Sequence, residues 1–404
     1  MIIPSIINNK TFGQISHEAE IALVNPLLSM RMFSRGDVQR RLAIYPFENY
    51  HNKSELICQI MDKIWPSEEG SSLFPIYKNF EHYLTASGKR GHFIHQFEVF
   101  LLGLNILIQL WNKAPALKRK TIFKVSSITE LIHIWLLTSS THDLGYPLQM
   151  AAEITKQLSQ LYKELELTTL SSIYNSVKFD ETVTSESELA GFTVESDPHT
   201  YYIKIDDILE VSIINSVNSS KEEVVELIAK LIKYKKHGYV SAKILCRTFL
   251  KNLYSKQYPI FDKKTKKLDE ILKLSLAAIT LHDLPDDCHK FIPNISFDKN
   301  PYAWLLFVID NVQDWSRAII PSTLHPDYHL MGLSITEKGV SISYLLRMDH
   351  WEAAGIERME KELMKRKKLL KQLVKSDNAF DFCVDVTFAR NDSSEFRTKL
   401  KIRI

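Results

Sequence analysis

A histidine and an aspartate stand side by side at His142 and Asp143, directly after a run of apolar residues, 131–137, that predicts a buried helix. A neutral imidazole and a carboxylate on neighbouring positions can both reach one divalent cation. Gly145 then indicates the end of the helix, because glycine is common just after a helix C-terminus. The pair alone is a weak signal, and it gains weight from other potential metal ligands on or beside segments with helical apolar spacing. These are His95, His237, His282 and Asp310.

The combined set contains four imidazoles and two carboxylates. A mixed nitrogen and oxygen set suits Mn, Fe, Ni, Co or Zn, whereas Mg²⁺ and Ca²⁺ prefer oxygen ligands. One cation needs about four protein ligands, so six ligands indicate two divalent transition metal ions per chain. A pair of cations about 3.5–4 Å apart lowers the pKa of a water and neutralises phosphate oxygens. The predicted chemistry is therefore hydrolysis of a phosphate ester or anhydride.

The segments that must position these residues have the apolar spacing of helices. The stretch 95–111 leaves little polar surface, as expected for a central helix that is buried on most sides. A second helix is expected to run to His142 and a third to begin near Pro147, since proline is favourable in a first turn. Further helices are expected over 220–234, where Ser219-Ser220 resembles an N-cap, from His237 through Leu250, over 268–282, and over 302–315.

Two parts of the chain contain β-prone segments. Between 165 and 206, serines, threonines and short β-prone pieces indicate an insertion that covers one face of the helical body, with its clearest strand over 200–205. After Pro326, strands are predicted over 340–345, 380–386 and 396–404, and an amphipathic helix over 352–375. The order strand, helix, two strands predicts a small α+β layer in which the helix packs on an antiparallel sheet.

Composition excludes several classes of protein. With 404 residues, of which 45% are hydrophobic, the chain can bury a sizeable core and is expected to form more than one domain. Its apolar runs are interrupted or shorter than the roughly 20 residues of a membrane span, so no contact with a membrane is expected. The N-terminus lacks a signal peptide and the four cysteines form no CxxC pair, which predicts a cytoplasmic protein. A net charge of +3 is too small to favour nucleic-acid binding.

Three short motifs carry a resemblance to a known superfamily. His95-x-x-Glu98-Val99 and His142-Asp143-Leu144-Gly145 are similar to motifs of deoxynucleotide triphosphohydrolases, although Tyr146 stands where that group usually places another histidine. His237-Gly238-x-x-Ser241-Ala242 resembles the His-x-x-x-Ser-Ala of the HD nuclease subunit of type I CRISPR systems, and its His-Gly resembles that of HD cyclic-dinucleotide phosphodiesterases. Over about residues 90–317, the ordered set thus resembles the HD-domain metal-dependent phosphohydrolases.

This resemblance implies a fold and a ligand arrangement. The expected fold class is mainly α, with an HD-type helical core domain and a small C-terminal α+β domain. The corresponding division is a helical lead-in over 1–85, the HD-type domain over 86–325 with its insertion at about 165–206, and the α+β domain over 326–404. By the same resemblance, one metal is held by His95, His142, Asp143 and Asp310, and a second by His237 and His282, with Asp143 as the bridge.

Further residues are candidates for contact with substrate. Lys89 and Arg90 lie in a glycine-containing segment before the first ligand, where they could bind phosphate or simply form a basic loop. His92 could act as a general acid, a role that suits an imidazole. Arg317 lies two helical turns beyond Asp310 and could line the pocket. His282 and Asp283 form a second His-Asp pair, but the acidic stretch after it is typical of a surface turn, so Asp283 is not expected to be a ligand.

These residues favour an enzyme that hydrolyses nucleotides. The motifs at His95 and His142 favour a deoxynucleoside triphosphate triphosphohydrolase, whereas a cyclic nucleotide or dinucleotide phosphodiesterase fits six ligands better. A single-strand nuclease would need a basic channel, and the basic run 365–368 is expected to be a solvated helix face. A non-catalytic nucleotide sensor would have no reason to keep the whole ligand set. The resemblance further implies a homo-oligomer, and a role in antiviral defence would fit such an enzyme.

Overall fold

The computed structural model describes most of the chain from His92 onward and a few helical residues before it. The described residues are 40–41, 43, 55–57, 59–60, 92–166, 189–196, 199–255, 263–285, 288, 295–313, 327–336, 339–348, 361, 364–365, 368–375, 381–390 and 396–403.

The described part of the chain is mainly helical, which confirms the mainly α prediction. Its named helices are α1 (His92–Lys113), α2 (Ala116–Phe123), α3 (Ile128–Thr141), α4 (Tyr146–Glu164), α5 (Ile205–Ile214), α6 (Lys221–Lys233), α7 (His237–Ser255), α8 (Lys263–His282) and α9 (Pro301–Gln313). Every helix predicted between His95 and residue 315 is present, with ends that differ by a few residues.

The chain folds into two compact units. Unit 1 comprises Met1–Lys120, Ile309–Lys371 and Ser376–Ile404, and unit 2 comprises Thr121–Val308 and Gln372–Lys375. The predicted division into 1–85, 86–325 and 326–404, and the identification of an HD-type core, stay predictions.

Helix α1 of unit 1 is the apolar helix that the sequence predicts. Its stretch Ile94–Lys113 is long and apolar enough to cross a membrane by length and composition, and 89% of its most apolar window is buried inside the structure. The core helix of a folded domain meets the same criterion, so burial alone explains the apolar composition of α1.

Unit 2 is built around α8, which packs against α3, α5 and α7. Leu276, Ala277 and Ile279 of α8 are fully buried. Two of the surrounding helices begin at side-chain caps. Ser127 caps α3 by accepting from the Glu130 N–H, and Ser220 forms a capping box with Glu223 at the start of α6, as the sequence predicts.

A two-stranded hairpin belongs to unit 2. Strand β1 (Gly191–Ser196) pairs antiparallel with β2 (His199–Lys204), which confirms the strand predicted over 200–205. The rest of the predicted insertion, residues 167–188, lies outside the described residues. Another short pair in unit 2, β3 (Ile295–Ser296) and β6 (Val374–Lys375), runs parallel. Because Val374 and Lys375 are in a strand, the helix predicted over 352–375 ends earlier than expected.

Unit 1 contains a four-stranded sheet with the order β4-β5-β7-β8. Its strands are β4 (Asp327–Thr336), β5 (Gly339–Met348), β7 (Asp381–Arg390) and β8 (Phe396–Arg403). The prediction of an antiparallel sheet is wrong, because β5 and β7 run parallel. Parallel neighbours need a long crossover, and the chain between these two strands supplies one. Strand β4 was not predicted.

Candidate metal centre

Three helix ends of unit 2 bring together four of the predicted ligands. His142 follows the last residue of α3, and Asp143 lies in the turn between α3 and α4. His237 is the first residue of α7, and His282 is the last residue of α8. The side chains of His142, Asp143 and His282 are almost completely buried, while that of His237 is 12% exposed. The cluster is therefore enclosed, and His237 is its most exposed member.

The potential ligand atoms of this cluster are as close as the ligands of one cation. Asp143 Oδ1 lies 3.0 Å from His237 Nε2 and 3.8 Å from His282 Nε2. Asp143 Oδ2 lies 3.4 Å from His142 Nε2, and the Nε2 atoms of His237 and His282 are 3.1 Å apart. Ligands bound at about 2.0–2.2 Å from one cation lie roughly 3–3.5 Å from one another. The spacing of these donors therefore fits a bound metal.

The other ring nitrogen of each histidine is held by an acceptor outside the cluster. His142 Nδ1 lies 2.7 Å from the Ser139 carbonyl oxygen, and His282 Nδ1 lies 2.5 Å from the Ile279 carbonyl oxygen. A carbonyl oxygen can only accept a hydrogen bond, so Nδ1 carries the proton in both rings. In a ring with a single proton the lone pair is then on Nε2, which faces Asp143. This is the tautomer that a metal ligand requires.

The two histidines share a local geometry that follows from their place in the helix. Each ring bonds the carbonyl three residues earlier, in the last turn of its own helix. The last carbonyls of a helix have no intrahelical partner, so a histidine at this position can satisfy one of them. The bond turns Nε2 away from the helix, and the end of an apolar helix thereby presents a nitrogen in a fixed direction.

His237 is held in the same manner by side chains. Its Nδ1 lies 2.8 Å from Asp283 Oδ2 and 3.1 Å from Gln149 Oε1. The other oxygen of Asp283 accepts a hydrogen bond from Lys236 Nζ at 2.8 Å. Asp283 therefore lies behind the His237 ring, on the side opposite Asp143, and its side chain is only 14% exposed. Asp283 is thus largely buried beside the cluster, because the turn after α8 folds back against the start of α7.

Two glycines allow the helix ends to approach. A Cβ on Gly145 would lie 2.5 Å from the His237 carbonyl oxygen, and the Gly145 N–H donates to Ser241 Oγ at 2.8 Å. A Cβ on Gly238 would lie 2.7 Å from the Ile279 carbonyl oxygen and 2.9 Å from His282 Cε1. Side chains larger than hydrogen would therefore separate α7 from the α3–α4 turn and from α8. The glycines and the serine of the sequence motifs are packing residues of the site.

Charge around His237 favours a positive group. Burial lowers the pKa of this ring, but the carboxylates of Asp283 and Asp143 more than offset burial and raise the pKa to about 10. Burial raises the pKa of Asp283, but the neighbouring His237 and Lys236 more than offset burial and hold that pKa well below its usual range. A cation bound at His237 Nε2 must displace the proton there, and it meets the same attractive field.

The remaining pair of predicted ligands lies in unit 1. His95 in α1 and Asp310 near the end of α9 are joined by a contact of 2.8 Å between Nε2 and Oδ1. Their side chains are 9% and 14% exposed. The structure therefore brings these two residues together as a largely buried pair. Their predicted participation in a metal centre stays a prediction.

The side chains predicted to contact substrate lie outside the part of the chain that the structure describes. Lys89, Arg90 and Arg317 lie outside the described residues. The backbone of His92 begins α1, but its side chain is not among those described. Asp283 and Gln149 are the residues that sequence reasoning missed as partners of the site. The position of Asp283 next to His282, at the end of a ligand-bearing helix, was the available signal.

Comparisons with protein-family models, with curated proteins and with solved structures found no match for this chain.

Proposed function

We propose that this chain is a metal-dependent phosphohydrolase that acts on nucleotides. The first candidate is a deoxynucleoside triphosphate triphosphohydrolase. The observation that carries the proposal is the convergence of three Nε2 atoms on the Asp143 carboxylate, with every Nδ1 held by an acceptor elsewhere. Buried imidazoles in one fixed tautomer around a buried carboxylate fit a divalent transition metal. A bound cation would lower the pKa of a water and neutralise phosphate oxygens.

The geometry of Asp143 supports the bridging role predicted for it. Its Oδ2 faces His142, while its Oδ1 faces His237 and His282. Each oxygen can therefore serve a different cation. The surrounding side chains exclude bulk water, because His142 and His282 are almost completely buried. We place the approach of substrate on the side of His237, the most exposed member of the cluster.

A cyclic nucleotide or dinucleotide phosphodiesterase is the second candidate. It is favoured by the two histidines at the same oxygen of Asp143, His237 at 3.0 Å and His282 at 3.8 Å. Triphosphohydrolases of this kind commonly use fewer ligands, so the additional pair suits the phosphodiesterase better. The two candidates share the metal chemistry and differ in the bond that is cleaved.

Product analysis distinguishes these candidates. Chelator-treated protein is reconstituted separately with Mn²⁺, Fe²⁺, Co²⁺, Ni²⁺ or Zn²⁺ and incubated with dNTPs, NTPs, cyclic nucleotides, cyclic dinucleotides and short single-stranded DNA. Deoxynucleosides together with inorganic triphosphate, identified by mass, support the first candidate, and linear nucleotides from cyclic substrates support the second. His142→Ala is the control for contaminating hydrolases. The absence of any product with every metal contradicts the proposal.

A further inference from the structure

Asp283 has a geometry that the four clustered ligands do not have. Its Oδ2 lies 2.8 Å from His237 Nδ1, the nitrogen on the outer side of the ring, whereas Nε2 on the inner side faces Asp143. Its Oδ1 is bonded to Lys236 Nζ. Each carboxylate oxygen therefore lies 2.8 Å from a protein nitrogen. A carboxylate placed in this manner can act on a bound metal only through the imidazole between them.

We propose that Asp283 is a positioning residue that orients His237 for metal binding and, with Lys236, fixes the affinity of the site. This role rests on the proposed function, because it requires a cation at His237 Nε2. A carboxylate that accepts from the distal nitrogen of a ligand histidine fixes the tautomer, restrains the ring and increases the basicity of the ligating nitrogen. Removal of such a partner typically weakens metal binding about 10- to 100-fold.

Lys236 holds the carboxylate in the productive orientation. The ammonium lies 2.8 Å from Oδ1, and its side chain is 24% exposed, so the ion pair lies at the outer rim of the site. Without this contact, Asp283 can rotate and the His237 ring loses one restraint. Gln149 provides a second acceptor at 3.1 Å from His237 Nδ1. Because Gln149 is neutral, it keeps the tautomer but cannot replace the negative charge of Asp283.

Titration with Co²⁺ alone tests this role without reference to turnover. Chelator-treated wild type, Asp283→Asn, Asp283→Ala and Lys236→Met are titrated with Co²⁺, and visible absorption reports both affinity and coordination. We expect Asp283→Ala to bind Co²⁺ about 10- to 100-fold more weakly. Asp283→Asn should lose less affinity, because its amide oxygen can keep the contact with Nδ1. Lys236→Met should show the smallest loss.

Asp269→Asn is the matched control. Asp269 lies on α8, the same helix as His282, and pairs with Lys273 at 2.6 Å. This substitution removes one negative charge, as Asp283→Asn does, from the helix that ends next to Asp283 and at a pair without a histidine. Its Co²⁺ affinity and spectrum should therefore match those of the wild type.

The outcomes separate this role from the proposed function. Wild-type protein that binds no Co²⁺ overturns the proposed metal site, and the role of Asp283 with it. Wild-type binding together with unchanged affinity and spectrum in both Asp283 variants overturns the positioning role alone. Asp283→Asn keeps the side-chain volume, so it decides the question if Asp283→Ala does not fold. A weaker affinity with a changed absorption spectrum and an unchanged far-UV circular dichroism spectrum supports the role.

Discussion

Replacing Gly238 with alanine tests whether close packing of α7 on α8 assembles the metal site. The added Cβ would lie 2.7 Å from the Ile279 carbonyl oxygen and 2.9 Å from His282 Cε1, whereas ordinary van der Waals contacts begin at 3.4 Å. The two helix ends must therefore separate by about 0.5–0.7 Å. Neither neighbour can yield cheaply, because one is backbone and the other is a ring held by its own hydrogen bond.

A displacement of this size should abolish shared binding by His237 and His282. Metal–ligand distances vary by only about 0.2 Å in well-formed sites, so a shift of about 0.5 Å exceeds the tolerance. The fold should survive. Overpacking costs about 1–3 kcal/mol, and the higher helix propensity of alanine offsets about 1 kcal/mol of that. We therefore expect loss of metal at a small cost in stability.

The measurement combines metal stoichiometry, Co²⁺ affinity and thermal unfolding of Gly238→Ala. Val224→Ile is a matched control, because it overpacks a fully buried position of unit 2 on α6, a helix without predicted ligands. The control should lose a similar amount of stability and keep its metal. Gly238→Ala with wild-type affinity and stoichiometry would refute the reasoning that this close approach forms the site.

Three further predictions concern charge. Asp143→Ala should weaken the binding of both predicted cations and lower turnover by several orders of magnitude, with unchanged far-UV circular dichroism. Water without a nearby cation keeps the high pKa of bulk water and is therefore a poor nucleophile at neutral pH. Metal-free protein should lose stability as pH rises from about 6.5 toward 10, since the raised pKa of His237, about 10, stabilises the fold only while the ring is protonated. This is measured by thermal melting in chelator. Lys243→Ala should destabilise the chain by about 2–3 kcal/mol in denaturant titrations. That lysine is fully buried and lies 2.9 Å from Asp206 Oδ1, but Asp206 is 41% exposed and regains water, which keeps the loss below that of a fully buried pair.

Each of these has an outcome that contradicts it. Folded Asp143→Ala that hydrolyses substrate at the wild-type rate would remove the His142-Asp143 pair from the site. Melting temperatures that change equally with pH in the wild type and in His237→Gln would assign the pH dependence to other groups. For Lys243, a pair whose lysine is 69% exposed is the control. Lys221→Ala breaks its contact with Glu210, and it should leave stability nearly unchanged. Equal effects of the two lysine substitutions would contradict the importance of burial.

The helices and the clustered histidines were predictable because local patterns encode them. Apolar periodicity locates α1 and α3, and the capping residue Ser220 locates the start of α6. His142 and His282 could be recognised because a histidine at the end of an apolar helix is a local feature. Their convergence with His237 was inferred from order along the chain, and the structure brings them together in unit 2.

The parts that were missed depend on contacts between distant segments. Asp283 and Gln149 meet at His237 although they lie far apart in sequence. The place of Asp283 next to His282 is a local signal, but it does not indicate His237 as the partner. The long connection between β5 and β7 is consistent with their parallel pairing, but the residue pattern of a strand does not give its direction relative to its neighbour. Strand β4 pairs with β5 in a hairpin that its own sequence does not reveal.

The helix ends explain why the site needs two carboxylates. The C-termini of α3 and α8 carry partial negative charge, which favours a cation beside His142 and His282. His237 instead begins α7, where the partial positive charge of the helix N-terminus opposes a cation. Asp143 lies 3.0 Å from one nitrogen of His237 and Asp283 lies 2.8 Å from the other, so a carboxylate faces each side of the one unfavourably placed ligand. The same field that raises the pKa of His237 in the metal-free chain is what would allow a ligand at this helix end to hold a metal.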